Sequence, residues 1–167
     1  MNTSVRHRQH AVNKEPAPER RTVAGDAFST LAILVLRVSG HLTAAGDELC
    51  KPVGQSSARW QVLASVDHEP ATVAQIARTL GVARQSVQRI ADVLTDEGLT
   101  AYEDNPAHRR AKLLRLQPEG RTALRAIQAA QVPWADALGA EIGESDLRRA
   151  SKVLERVLQV LASGNTK

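Results

Sequence analysis

Apolar residues recur in helical steps over most of this chain, and the tightest repeat lies between Thr72 and Leu94. Val73, Ile76, Ala77 and Leu80 share one face of a 3.6-residue period, and Val87, Ile90, Ala91 and Leu94 share another. The pattern predicts two short amphipathic helices that face each other across a turn at Gly81, a position suited to a residue that tolerates positive φ. Ala77 is small where the helices would cross. Thr72 with Gln75 three residues on is a capping box, and Gly98 after Thr95-Asp96-Glu97 is a C′ stop.

Longer stripes flank this pair. Phe28, Leu31, Val35, Val38, Leu42, Ala45 and Leu49 recur in steps of three and four from Asp26 to about Leu49, and Leu147, Ala150, Leu154, Val157 or Leu158, and Leu161 do so after a predicted cap at Ser145. Pro118 to about Ile142 reads as a connecting helix that Pro133 should kink or interrupt, with Trp134 packed into the bend. A monomer would leave much of the terminal stripes exposed, whereas a two-fold homodimer buries them.

Past Gly98 the period changes. Leu99 to Glu103 and Lys112 to Leu116 are short extended runs separated by DNPAHRRA, where Asp104, Asn105 and Pro106 supply turn chemistry. A helix-turn-helix followed by such a hairpin predicts a winged helix, so the fold class is mostly α with a small β-hairpin wing. The expected organisation is a disordered basic tail (1–24), an N-terminal dimerisation helix and linker (25–55), a winged helix-turn-helix DNA-binding domain (56–117), C-terminal connecting and dimerisation helices (118–163) and a disordered end (164–167).

Charge sharpens this picture. The formal net charge is +4, of which the first 24 residues carry +3 and the remaining chain only +1. Within that nearly neutral remainder, cations gather at the start of the second short helix and at the hairpin tip, as in a DNA reader whose other face meets something else. Arg84 and Arg89 are candidates for guanine edges and Gln85 and Gln88 for adenine edges, while Ser86 and Thr72 suit phosphate contacts, Thr72 being equally explained as a cap. Arg109 and Arg110 at the tip suit a narrow minor groove, with Lys112 on a nearby phosphate. Asp92 and Asp96 lie farther along the same helix side, where phosphate would repel them, so only the first two helical turns should enter the groove.

Other chemistries find little support. There is no nucleophile with a spaced base, no paired carboxylates in a recognisable setting and no glycine-rich phosphate loop, so no enzyme and no cofactor are expected. His7, His10, His41, His68 and His108 lack metal-ligand spacing. Cys50 beside Lys51 raises a redox-responsive alternative, and a winged-helix module that binds protein is a second. No uninterrupted apolar run of membrane-spanning length, no secretory leader at the start and a single cysteine give a cytoplasmic expectation without a membrane partner.

The tract TVAQIARTLGVARQSVQRIADVLTDEGL, followed by NPAHRRAKLLRLQPEGR, resembles the MarR family of bacterial winged-helix transcription regulators over Ser56 to about Arg121. Two positions depart from the family pattern: Ala83 stands where Ser commonly caps the recognition helix, and His108 stands where Asp commonly precedes the paired arginines. The resemblance implies a homodimer on a pseudo-palindromic double-stranded operator, held together by the first and last helices. It also implies a repressor released by a small aromatic or lipophilic effector bound between those helices and the winged domain, for which His41, Arg59 and Trp60 are the candidate lining.

Overall fold

The structure, a computed structural model, describes residues 21–108 and 110–164. The tail through residue 20, Arg109 and residues 165–167 lie outside the described residues. In chain order the elements are α1 (Val23–Cys50), a 3-10 turn (Lys51–Val53), α2 (Ser57–Ser65), β1 (Ala71–Thr72), α3 (Val73–Leu80), α4 (Arg84–Asp96), β2 (Thr100–Glu103), β3 (Leu113–Leu116), α5 (Pro118–Ile142) and α6 (Glu144–Ala162). This is the mostly helical winged fold that the sequence predicts. The chain separates into two compact units, residues 1–39 and 40–167.

In the first unit, the described chain is the opening of α1. Helix α1 begins at Val23, ahead of the predicted Asp26 and inside the segment assigned to the tail. Thr22 Oγ1 accepts the Gly25 N–H at 3.0 Å, the kind of side-chain bond that lets a helix start. Phe28, Ile33, Leu36 and Val38 are exposed, so apolar residues stand on more of the helix surface than the predicted stripe. With the turn that follows it, α1 is long and apolar enough to cross a membrane by length and composition, an 18-residue stretch of it having mean hydropathy 1.4. That corrects the expectation of no such stretch, which counted uninterrupted runs; the average tolerates Arg37 and the polar residues around it.

The second unit holds the core. Val62 and Leu63 of α2, Ile76 and Ala77 of α3, Val87, Ala91 and Leu94 of α4, Leu114 and Leu116 of β3 and Leu124 of α5 form one buried cluster. Both short-helix stripes predicted from the period therefore face inward, with Leu80 and Ile90 packed at its margin. The α3–α4 turn is made by Gly81 at φ +66°, where a Cβ would be strained. The capping box forms in full: Thr72 Oγ1 accepts from Gln75 N at 3.2 Å, and Gln75 Oε1 accepts from Thr72 N at 2.8 Å.

At the other end of α1, Gly46 lets α2 approach: a Cβ there would stand 2.7 Å from Ser57 Oγ. Asp47 Oδ1 accepts the Ser57 N–H at 2.7 Å, and Ser56 Oγ accepts that of Arg59 at 3.3 Å, so two oxygens satisfy the start of α2.

The sheet is antiparallel in the order β1-β3-β2, with Thr72 opposite Leu113 and Tyr102 opposite Leu114. The third strand, β1, was not foreseen. It anchors the wing to the residue that caps α3.

Two other expectations are corrected. Of the kink or interruption expected at Pro133, the interruption does not occur: α5 runs through it. Proline removes only one backbone bond there, and its neighbours Ala129, Ala130 and Ala135 are strong helix formers. Helix α6 starts at Glu144, not after Ser145; Gly143 at φ +92° ends α5 and opens α6, and Glu144 and Asp146 supply negative charge to the first turn.

Candidate nucleic-acid interface

The orientation of α4 follows from its buried face. Because Val87, Ala91 and Leu94 point into the core, Arg84, Gln85 and Arg89 are left exposed, and Ser86 and Gln88 are half-buried. Ala83 at the N-cap offers no side-chain acceptor, as its departure from the family pattern implies. Arg89 Nε reaches back only to the Gln85 carbonyl at 3.4 Å.

The wing loop is built by Asn105, whose Oδ1 accepts the Ala107 N–H at 2.9 Å while its carbonyl accepts that of His108 at 3.2 Å. The loop carries Arg110 and leads to Lys112, both exposed. A cleft of about 260 Å³ opens between this loop, the start of α3 and α4, and is lined by Thr72, Arg84, Gln88, Tyr102, Arg110 and Lys112. Five of the residues singled out from sequence thus converge on one surface. Gln85, Ser86 and Arg89 do not line the cleft. The Thr72 hydroxyl is already engaged with Gln75 Oε1 at 2.8 Å.

Tyr102, on β2, is a member of this surface that sequence reasoning missed. Its hydroxyl donates to Asp92 Oδ1 at 2.8 Å, and Gln88 Nε2 donates to both, at 2.8 Å each. Burial first, then the bond to Asp92, pushes the Tyr102 phenol up to about 12, so it keeps its proton at any physiological pH. The Gln88–Asp92 spacing of four was a visible helix-face signal, whereas the reach to Tyr102 depends on sheet register.

Residues 54–111 match the MarR family model. An uncharacterized protein of Mycobacterium tuberculosis is 35% identical over 136 residues, which cover 81% of this chain and 95% of the relative, and a Mycobacterium bovis protein matches to the same degree. The chain belongs to the MarR family. It is a transcription regulator, in a family of non-enzymatic DNA-binding proteins.

Solved structures share the fold of this MarR-family chain. A mutant MarR of E. coli complexed with operator DNA superimposes with TM-score 0.70 at 20% identity, covering 80% of this chain and 96% of that one. The M. tuberculosis regulator MOSR in complex with DNA does so with TM-score 0.65 at 23% identity, covering 78% and 96%.

The predicted effector residues are spread over two helices of this MarR-family chain. His41 is exposed on α1. Trp60 packs against the core, and Arg59, its neighbour on α2, forms an ion pair with Glu97 at the C-terminal end of α4. Arg59 Nε is buried without a hydrogen-bond partner among the described residues.

Cys50 is fully buried. Desolvation, then the Asp47 charge, raises its pKa, and the neighbouring Lys51 pairs with Glu48 at 3.6 Å. The thiolate that a redox role requires is disfavoured there.

Proposed function

We propose that this regulator acts in the cytoplasm as a homodimer on an inverted-repeat operator, with α4 in the major groove and the wing at the adjacent minor groove, and that it represses until a small ligand releases it. The observation that carries the DNA assignment is the shared surface of the α4 start and the wing, where Arg84, Arg110 and Lys112 meet around one cleft. On DNA, Arg84, Gln85, Gln88 and Arg89 face bases, Ser86 and Thr72 lie at phosphates, and Arg110 and Lys112 serve the wing, with Arg109, outside the described residues, assigned there by sequence. The DNA-bound relatives, E. coli MarR and M. tuberculosis MOSR, support the assignment by shared fold.

The exposed apolar residues of the terminal helices support the homodimer. None of α6 is buried, and Leu154, Leu158 and Leu161 stand exposed on it, as Phe28, Ile33 and Leu36 do on α1. A second copy related by a dyad covers such faces and sets two recognition helices about 34 Å apart, one duplex turn. Release by an aromatic or lipophilic ligand near His41, Arg59 and Trp60 follows the family resemblance. The Arg59–Glu97 pair gives it a route, since a ligand that draws Arg59 away unties the end of α4.

Sedimentation of the full chain alone and with duplexes recovered from genomic fragments tests this function. Two protomers per duplex and a two-fold symmetric recovered motif are expected. A monomer in solution and on DNA overturns the dimeric assignment, and partition of the chain with membranes overturns the cytoplasmic one.

A further inference from the structure

The hydrogen-bond triangle of Gln88, Asp92 and Tyr102 closes with only one orientation of the Gln88 amide. A carboxylate accepts only, and a phenol has a single proton. Tyr102 gives that proton to Asp92 Oδ1, so the Gln88 atom 2.8 Å from both oxygens must be the NH2 group. The opposite amide orientation would set the Gln88 oxygen against the carboxylate, two acceptors face to face. The Gln88 NH2 group is therefore turned into the protein. Its Oε1 is the end of the amide turned toward another molecule.

We propose that Tyr102 and Asp92 hold Gln88 as an acceptor-only reader, so that in the major groove it selects a base with an exocyclic amino group, adenine or cytosine, and does not make the bidentate adenine pair of a free glutamine. This rests on α4 being the groove helix, as proposed above. Adenine N6 and cytosine N4 are the major-groove donors, whereas guanine O6 and thymine O4 are acceptors that Gln88 Oε1 repels. The lock sits in the right place to act on DNA, because Gln88 and Tyr102 line the same cleft as Arg84 and Arg110. It is also stiff: Tyr102 packs against the core from the wing strand, so the amide is held from two elements and not by its own helix alone. Tyr102 and Asp92 are positioning residues; Gln88 is the one that meets the base. The adenine role given to Gln88 from its residue type is thereby narrowed.

Selection of bound duplexes from a random-sequence library by full-length wild-type protein, Gln88→Ala and Tyr102→Phe tests the proposal. Wild type should enrich a motif with one step at which adenine and cytosine are accepted alike, and Gln88→Ala should lose preference at that step only. Tyr102→Phe returns one N–H to Gln88, and adenine should then exceed cytosine at that step by about tenfold, the scale of one added base hydrogen bond. If Tyr102→Phe does not fold, Asp92→Ala frees a donor from the helix side and is read in the same way. An unchanged base preference with the motif intact, or a uniform loss of affinity without a change in preference, overturns the lock while α4 remains the reader. Enrichment of no motif by wild type overturns both.

Discussion

Gly120, in the first turn of α5, is pressed against the carbonyl of Leu99 at the foot of the wing. A Cβ at position 120 would overlap that oxygen and stand 3.0 Å from the Leu99 carbonyl carbon and 2.8 Å from Leu116 Cδ1. The same carbonyl accepts the Gln117 N–H at 3.0 Å. Backbone is the obstacle, so no side-chain rotation can relieve it. Gly120→Ala is therefore expected to destabilise the fold by about 1–3 kcal/mol, the range for overpacking a filled site. Urea unfolding of the two proteins measures it, and equal midpoints would show that the wing and α5 are not held this tightly.

Tyr102 is the only tyrosine in the chain, so phenolate absorbance reports it without ambiguity. In the folded protein its pKa is raised to about 12 from the ordinary phenol value of 10.0. A proton bound more tightly in the folded state stabilises that state fully below pH 10 and ceases to do so as pH rises through 12. The stability advantage of wild type over Tyr102→Phe, about 1 kcal/mol for one net hydrogen bond, should hold at pH 9 and vanish towards pH 12. A spectroscopic midpoint near 10 in the folded protein would mean that the Asp92 bond does not persist in solution.

Local signals were the legible ones. The capping box of Thr72 and Gln75, the left-handed turn at Gly81 and the inward phase of Val87, Ala91 and Leu94 each depend on residues within one or two turns of each other, so the sequence carries all three. Strand β1 was missed because two residues carry no period; it exists only because β3 runs beside it. Cap propensity favoured Ser145, yet Gly143 won, since the sharp reversal between α5 and α6 needs positive φ more than it needs a hydroxyl. At the interface, the exposure of Arg84, Gln85 and Arg89 followed from helix phase. The engagement of Gln88 by Tyr102, 14 residues away, required the β2–β3 register and was invisible in one dimension.

Burial makes Cys50 a poor sensor. With no exposed surface and a raised pKa, its thiol should stay unmodified in native protein during a treatment with a soluble alkylating reagent that labels the urea-unfolded chain to completion. Intact mass of both samples decides this. Rapid native labelling, or loss of DNA binding on peroxide treatment that Cys50→Ala prevents, would restore the redox reading.

The cations of the interface should separate by what they touch. Arg110 and Lys112 are exposed and, on the proposed arrangement, Arg110 sits in the minor groove between phosphate strands and Lys112 on a phosphate, so Arg110→Ala and Lys112→Ala should each weaken binding to all duplexes and reduce the slope of log affinity against log salt by about 1. Arg84 at the start of α4 faces base edges instead. Arg84→Ala should cost about 1–3 kcal/mol on the operator and relax preference at a single step, with a smaller effect on unrelated DNA. Arg115 supplies the control. It lies on the wing too, but its guanidinium is held by Glu103 through bonds of 2.5 and 2.9 Å, so its charge is already compensated and Arg115→Ala should leave the salt slope unchanged. Fluorescence titrations at four salt concentrations measure all four variants. Equal slopes for Arg110→Ala, Lys112→Ala and wild type would remove the wing from the DNA contact, whatever α4 does.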